Sequence, residues 1–217
     1  LAGDQRLAGA VMQFTGQVGT FFFLGEILWN VEVRTDGASH SSRTMHCGSC
    51  QSCMTSCPTG AFAEERVLDA SRCVSYLSIE KRGALSLAER RMWGEWIFGC
   101  DVCQDVCPFN IVPLKKRSPP DVPELGRDAG VGPSLALAEV LAMRDSKSFE
   151  RRFAGTALMR AKREGLLRNA AVVAANRCVE SLSPILLEAS REDGAATVRQ
   201  HALWAYCELL AGQGSAA

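Results

Sequence analysis

Two cysteine cassettes constrain this chain more than any other feature. The first runs Cys47-x2-Cys50-x2-Cys53-x3-Cys57-Pro58 and the second Cys100-x2-Cys103-x3-Cys107-Pro108, with Cys73 alone between them. Thiols this crowded serve as a disulfide cluster, a zinc knot or a cradle for iron and sulfur. No basic stretch leading into an apolar core and a cleavage site opens the sequence, so a reducing compartment and metal ligation are expected over disulfides. Structural zinc normally closes one tetrahedron with two separated pairs of ligands. Three cysteines at successive x2 spacings crowd a single zinc and leave both Cys-Pro ends without a purpose. His40 and His46 lie close by and are read as loop polarity, with zinc kept as the alternative.

The spacing is that of bacterial ferredoxins. There, three closely spaced thiolates hold three irons of a [4Fe–4S] cube, and the cysteine before the proline ligates the other cluster. Applied here, the rule gives Cys47, Cys50, Cys53 and Cys107 to cluster 1. Cluster 2 takes Cys100, Cys103 and Cys57, which leaves it one ligand short. Cys73 is the remaining cysteine of the region and is expected to be the fourth. Cys178 and Cys207 lie on or beside apolar helical stripes and are expected to be small core residues.

The rest of the chain is ordinary by composition. It is 217 residues long, 47% hydrophobic and 22% charged, with zero formal net charge. That fits a globular protein of one large or two small domains, and the global field points to no partner. The longest apolar run, Val18 to Val31, is broken by Glu26 and too short to span a bilayer, so a cytoplasmic protein with no membrane partner is expected. The sequence opens on Leu1 and reads as if it begins inside a domain. The segment Arg117–Pro133 is rich in Pro and Gly and reads as a linker.

From Ser134 onward the apolar residues recur at helical spacing. Leu167, Ala170, Ala171 and Ala174 form one stripe, Leu182, Ile185, Leu186 and Ala189 a second, and Val198, Ala202, Ala205, Tyr206 and Leu209 a third. Such short amphipathic helices in series suggest HEAT-like hairpins or a small bundle. Eight basic residues lie between Arg144 and Arg168, against Asp145, Glu150 and Glu164. A solvated helix face accounts for that excess, and so does a surface for nucleic-acid phosphates.

The words around the cysteines add what the cysteines cannot. "GTFFFLGEIL", "HCGSCQSCMTSCPTGAF", "CVSYLSIEKRG", "WIFGCDVCQDVCPFN" and "FAGTALMRAKREGLLRNAA" together resemble the epoxyqueuosine reductases over roughly residues 16–212. These are cobalamin-dependent iron–sulfur enzymes of tRNA queuosine synthesis. The resemblance implies an oxidoreductase in which two [4Fe–4S] clusters pass electrons to cobalamin and epoxyqueuosine at the tRNA wobble position becomes queuosine. It also implies helical repeats that hold the anticodon stem-loop, and an electron donor of flavodoxin or ferredoxin type.

By resemblance, Ser75, Cys100 and Asp101 are expected to face the corrin, with Leu28 a further candidate. Lys81, Arg82, Arg160, Arg163 and Arg168 are expected to meet RNA. Most of the family's N-terminal cobalamin domain has no counterpart here, and no catalytic proton donor can be assigned; Asp4 and Asp36 do not match one. The expected fold class is α+β: a ferredoxin-like two-[4Fe–4S] module followed by α-helical HEAT-like repeats, with a remnant of an N-terminal α/β cobalamin domain. The expected divisions are 1–45 for the remnant, 46–117 for the cluster module, 118–133 for the linker and 134–217 for the helical domain, in a monomer. Two other readings share the cassettes: a non-catalytic electron carrier with a helical interaction module, and a cobalamin-dependent dehalogenase relative.

Overall fold

The computed structural model describes residues 19–21, 28, 30, 47–65, 67–111, 130–132 and 134–214. Most of the expected cobalamin-domain remnant and of the linker lies outside the described residues.

The cysteine-bearing segment is built from short pieces. The helix α1 (Ser52–Ser56) follows the first two cysteines, and a two-stranded antiparallel sheet pairs β1 (Phe62–Glu64) with β2 (Val67–Leu68), with Phe62 opposite Leu68. Then come α2 (Val74–Ile79), α3 (Leu87–Met92) and α4 (Val102–Asp105). Segments of four to six residues are too short to hold helical form by propensity, so their ends matter. Ser86 starts α3 with a capping box: its hydroxyl accepts from the Glu89 N–H, and the Glu89 carboxylate accepts from the Ser86 N–H at 2.7 Å. The two cassette helices, α1 and α4, pack against one another and bring the cassettes together.

The second segment is helical: α5 (Leu137–Leu141), α6 (Ser146–Phe153), α7 (Lys162–Asn176), α8 (Ser183–Glu192) and α9 (Ala196–Gly214). The apolar stripes read from the sequence form its core, with Leu167, Ala170, Ala171, Ala174, Leu186, Ala189, Val198, Ala202, Ala205 and Leu209 all buried. α9 packs along both α7 and α8. Among the described residues the chain is therefore helix-rich with few strands, and none of its helices is long and apolar enough to cross a membrane.

The helix α7 joins the two segments. Its Leu166–Ala175 run is buried throughout, which no single apolar stripe would require. One face packs into the helical core, while Val172 and Val173 pack into a smaller core with Val74, Leu77, Leu85 and Trp93 of the cysteine segment. Polar side chains of α7 complete the seam. Asn169 donates to the carbonyls of Ser78 and Ile97 at 2.8 and 2.9 Å, and Asn176 to those of Arg90 and Gly94.

Cys178 and Cys207 are exposed, against the expectation that they are core residues. For Cys178 the reason is the end of α7. The Val179 N–H reaches back to the Ala174 carbonyl and the Cys178 N–H to that of Ala175, both at 3.0 Å, with Cys178 left-handed at φ 51°. This Schellman termination turns Cys178 off the stripe at the position that glycine usually fills. Cys207 lies on α9 beside the exposed Leu203 and Leu210, on the side away from the core.

Candidate iron–sulfur centre

All eight cassette-region thiols are free, and several of them lie within electrostatic reach of one another across the two cassettes. Burial raises the pKa of Cys53, and the thiolates of Cys47 and Cys107 raise it further. Cys107 thus stands near the first cassette although it belongs to the second. Cys100 is raised by burial and then by Cys73 and Cys57. Cys103 is pushed to about 12 by burial, followed by Cys73, Cys100 and Cys53. Cys73 and Cys57 thus stand with Cys100 and Cys103. Charges that repel at this range are neighbours, and thiols held so crowded ionise only beside compensating positive charge.

Among the described residues, no three of these side chains close around a point where one metal ion would sit. Zinc draws four sulfurs to about 2.3 Å from one centre. A cube carries its thiolates on four separate irons, and the eight cysteines of this region are the number that two such cubes require.

Backbone and hydroxyl donors already point at several sulfurs. Cys57 Sγ accepts from the Ala61 N–H at 3.3 Å and lies 3.6 Å from the Thr59 hydroxyl. Burial pushes the Cys57 thiol up, but these donors outweigh it and its pKa falls. Ser52 lowers that of Cys50, its hydroxyl lying 3.4 Å from the sulfur. Hydrogen bonds to sulfur stabilise the thiolate and are among the levers that set a cluster's potential.

The second cassette is anchored by Asn110, whose importance the spacing alone does not disclose. Its Oδ1 accepts from the Thr20 N–H at 2.6 Å, while its Nδ2 donates to the Thr20 hydroxyl and the Gln104 carbonyl. Gly19 makes this approach possible. It has φ +72°, and a Cβ there would lie 2.1 Å from Asn110 Oδ1. Ser78, also unforeseen, accepts from the Gly99 N–H through its hydroxyl and fixes the turn before Cys100.

Against that frame the expected cobalamin contacts separate. Ser75 and Cys100 are partly buried on neighbouring pieces of the cluster segment. Asp101 is exposed, and its carboxylate accepts from Gln104 Nε2 at 2.8 Å. Leu28 is 93% exposed, and no described contact joins it to the other three.

The expected RNA contacts separate too, and two are corrected. Arg168 is 1% exposed, and its guanidinium donates to the carbonyls of Leu77, Lys81 and Gly83, each at 2.8 Å, and to Asn169. Arg163 is buried against the Asp193 carboxylate and donates to the Met143 carbonyl. Neither presents its donors to a phosphate; both hold elements together. Lys81 is partly exposed and paired with Glu89 at 2.5 Å, and Arg160 is paired with Glu80. Arg82 donates to the carbonyls of Ile79, Arg160 and Ala161, tying the cluster segment to the turn before α7.

Residues 46–110 match the family described as the 4Fe-4S double cluster binding domain. The chain is 39% identical over 198 residues to the epoxyqueuosine reductase of Pseudomonas aeruginosa, a match covering 87% of this chain and 50% of that protein. Its structure is similar to that of the epoxyqueuosine reductase from Streptococcus thermophilus, with a TM-score of 0.77 and 26% identity over 92% of this chain and 50% of the other. This chain is a relative of the epoxyqueuosine reductases. A further neighbour, at a TM-score of 0.67 and 31% identity over 76% of this chain and 42% of the other, is an epoxyqueuosine reductase solved with an epoxyqueuosine-modified tRNA-Tyr stem loop. The chain spans about half the length of the curated relatives it matches.

Proposed function

We propose that this chain is the electron-supplying and RNA-holding part of an epoxyqueuosine reductase, acting on epoxyqueuosine at the wobble position of tRNA. The observation that carries the reading is the proximity of thiols from the two cassettes. Cys107 acts electrostatically on Cys53 of the first cassette, and Cys57 on Cys100 of the second, which supports two ligand sets of four that cross between cassettes. Cys47, Cys50, Cys53 and Cys107 would hold one [4Fe–4S] cluster and Cys57, Cys73, Cys100 and Cys103 the other. Bound there, the clusters would supply electrons one at a time.

The chain's own residues supply the setting. The Ala61 N–H and the Thr59 and Ser52 hydroxyls stabilise thiolate charge, while Asn110 and Ser78 hold the second cassette in register. Ser75, Cys100 and Asp101 would border a cobalamin on the cluster side, and cobalamin would supply the strongly reducing metal that the epoxide requires. Leu28 belongs with them only if residues outside the described set bring it there. Residues 1–45 would then be part of a cobalamin domain, and the helices from 134 onward HEAT-like repeats against the anticodon stem-loop. The protein would work as a cytoplasmic monomer served by a flavodoxin- or ferredoxin-type donor. Of the expected RNA contacts, Arg82 and Arg160 keep that role, while Lys81 is paired with Glu89 beside them.

The test is anaerobic reconstitution followed by metal analysis and a stem-loop mobility shift at low salt. About eight irons and eight sulfides per chain and a retarded RNA are expected. Stoichiometric zinc would overturn the cluster assignment. Full clusters with no RNA retardation would leave an electron carrier in its place.

A further inference from the structure

Two cavities flank Lys81, and they differ in character. One, of about 390 Å³, opens between residues 81–83 and the first turn of α7, from Lys162 to Gly165. The other, of about 340 Å³, lies between α2 and α3, where Tyr76 and Met92 meet Arg72 and Glu89. Lys81 lines both.

The first cavity has a surplus of positive charge. Arg82 and Arg168 in its wall are held by backbone carbonyls and an amide, which satisfy donors without cancelling charge. Burial and the nearby Arg82 together push the Arg168 guanidinium down to about 10. Lys162, exposed at the mouth, has no ion-pair partner among the described residues, and Glu164 is the one carboxylate in the wall. The first turn of α7 adds the positive end of its dipole. Lys162 is also held at φ 60° and ψ 165°, a conformation that non-glycine residues rarely adopt.

The second cavity presents an aromatic ring to solvent. Tyr76 is 39% exposed and Met92 37%, and neither contributes to the small core beneath them. A phenol ring and a thioether at the surface, flanked by cations, form a platform on which a base can stack while its phosphates stay near positive charge.

We propose that the two cavities form one nucleotide subsite of a single-stranded RNA track. A backbone phosphate enters the basic cavity beside Lys162 and Arg82, and the adjoining base stacks on Tyr76. Lys81, neutralised by Glu89, is the dividing wall rather than the phosphate ligand. This rests on the RNA-binding reading above and names the residues and the kind of contact.

The experiment uses the cluster-loaded chain and a fluorescent anticodon stem-loop, with affinity measured over a range of salt concentrations. Tyr76→Ala should weaken binding about 5- to 100-fold at each salt concentration with an unchanged salt slope, while Tyr76→Phe, which keeps the ring, should stay within about twofold. Lys162→Gly should weaken binding and reduce the salt slope by about 0.7, the value of one single-strand phosphate contact. It removes the charge at a position whose backbone favours glycine, so the fold is retained; unchanged cluster absorbance verifies this. If the parent chain binds and all three variants match it, the subsite is wrong and the RNA reading stands. If only Lys162→Gly has an effect, the base-stacking half is overturned. If the parent chain binds no RNA, both fall.

Discussion

The cysteine segment and the helical segment are stable for opposite reasons. Between residues 47 and 111 the elements are two to six residues long, and the buried apolar side chains are few: Ala61, Val74, Leu77, Leu85 and Trp93 besides Cys107. Between 134 and 214 the helices reach 19 residues, and one continuous apolar core runs through them. The first segment is expected to lean on metal–thiolate bonds where the second leans on hydrophobic burial. A chain can thus carry reactive, oxygen-sensitive ligands on a frame that does not depend on them.

Removing iron should break the comparison most visibly. With a chelator under reducing conditions, amides of 47–64 and 99–111 should lose hydrogen-exchange protection by several orders of magnitude. Those of α7 and α9 should keep theirs. Equal loss in both segments would show that the frame is not independent.

Trp93→Ala tests the seam between them. Trp93 is fully buried, packs with Val172 and Val173 of α7, and lies under Arg168, whose guanidinium carbon is 5.9 Å from the ring centroid. The loss should be about 3–5 kcal/mol in denaturant titration, and larger for α2 and α3 than for α8.

A smaller effect should appear with pH at the same seam. His201 of α9 accepts from the Leu85 N–H at 3.1 Å, and its other ring nitrogen meets the Thr197 carbonyl at 2.7 Å. Burial, with the cations of Arg90 and Arg168 nearby, lowers its pKa to about 4. The unfolded chain takes up that proton at about 6.5. Stability should therefore be full above about pH 6.5 and fall toward pH 4, by up to ~3 kcal/mol. His201→Gln should flatten that part of the profile in thermal melts across pH.

The smallest effect is expected outside the seam: Lys162→Gly should raise the stability of the helical segment by about 1 kcal/mol, because glycine adopts φ 60° without steric cost.

The two segments were also unequally legible. The cassettes are local patterns, and the proposed crossing of Cys57 and Cys107 rests on spacing and a count of ligands. The stripes of α7, α8 and α9 were equally plain, because 3.6-residue periodicity survives without knowledge of neighbours. What could not be read was the seam. Arg163 and Arg168 look like surface cations in sequence, since their partners, Asp193 and the carbonyls of Leu77, Lys81 and Gly83, lie 30 or more residues away. Periodicity placed Cys178 on a stripe that the helix leaves two residues earlier. The words "GLLRNAA", which end the last stretch carrying the resemblance, have a packing reason in the structure, because Arg168 and Asn169 clamp the cluster segment onto α7.

The central claim is that each cluster draws ligands from both cassettes and that Cys73 completes the second. Iron and sulfide analysis of reconstituted Cys73→Ala tests it most directly. About four irons and four sulfides per chain, half of the parent's content, are predicted, with the same halving for Cys47→Ala and near-complete loss in the double variant. A Cys73→Ala protein that keeps all its iron, or loses both clusters while the helical segment stays folded, would contradict it.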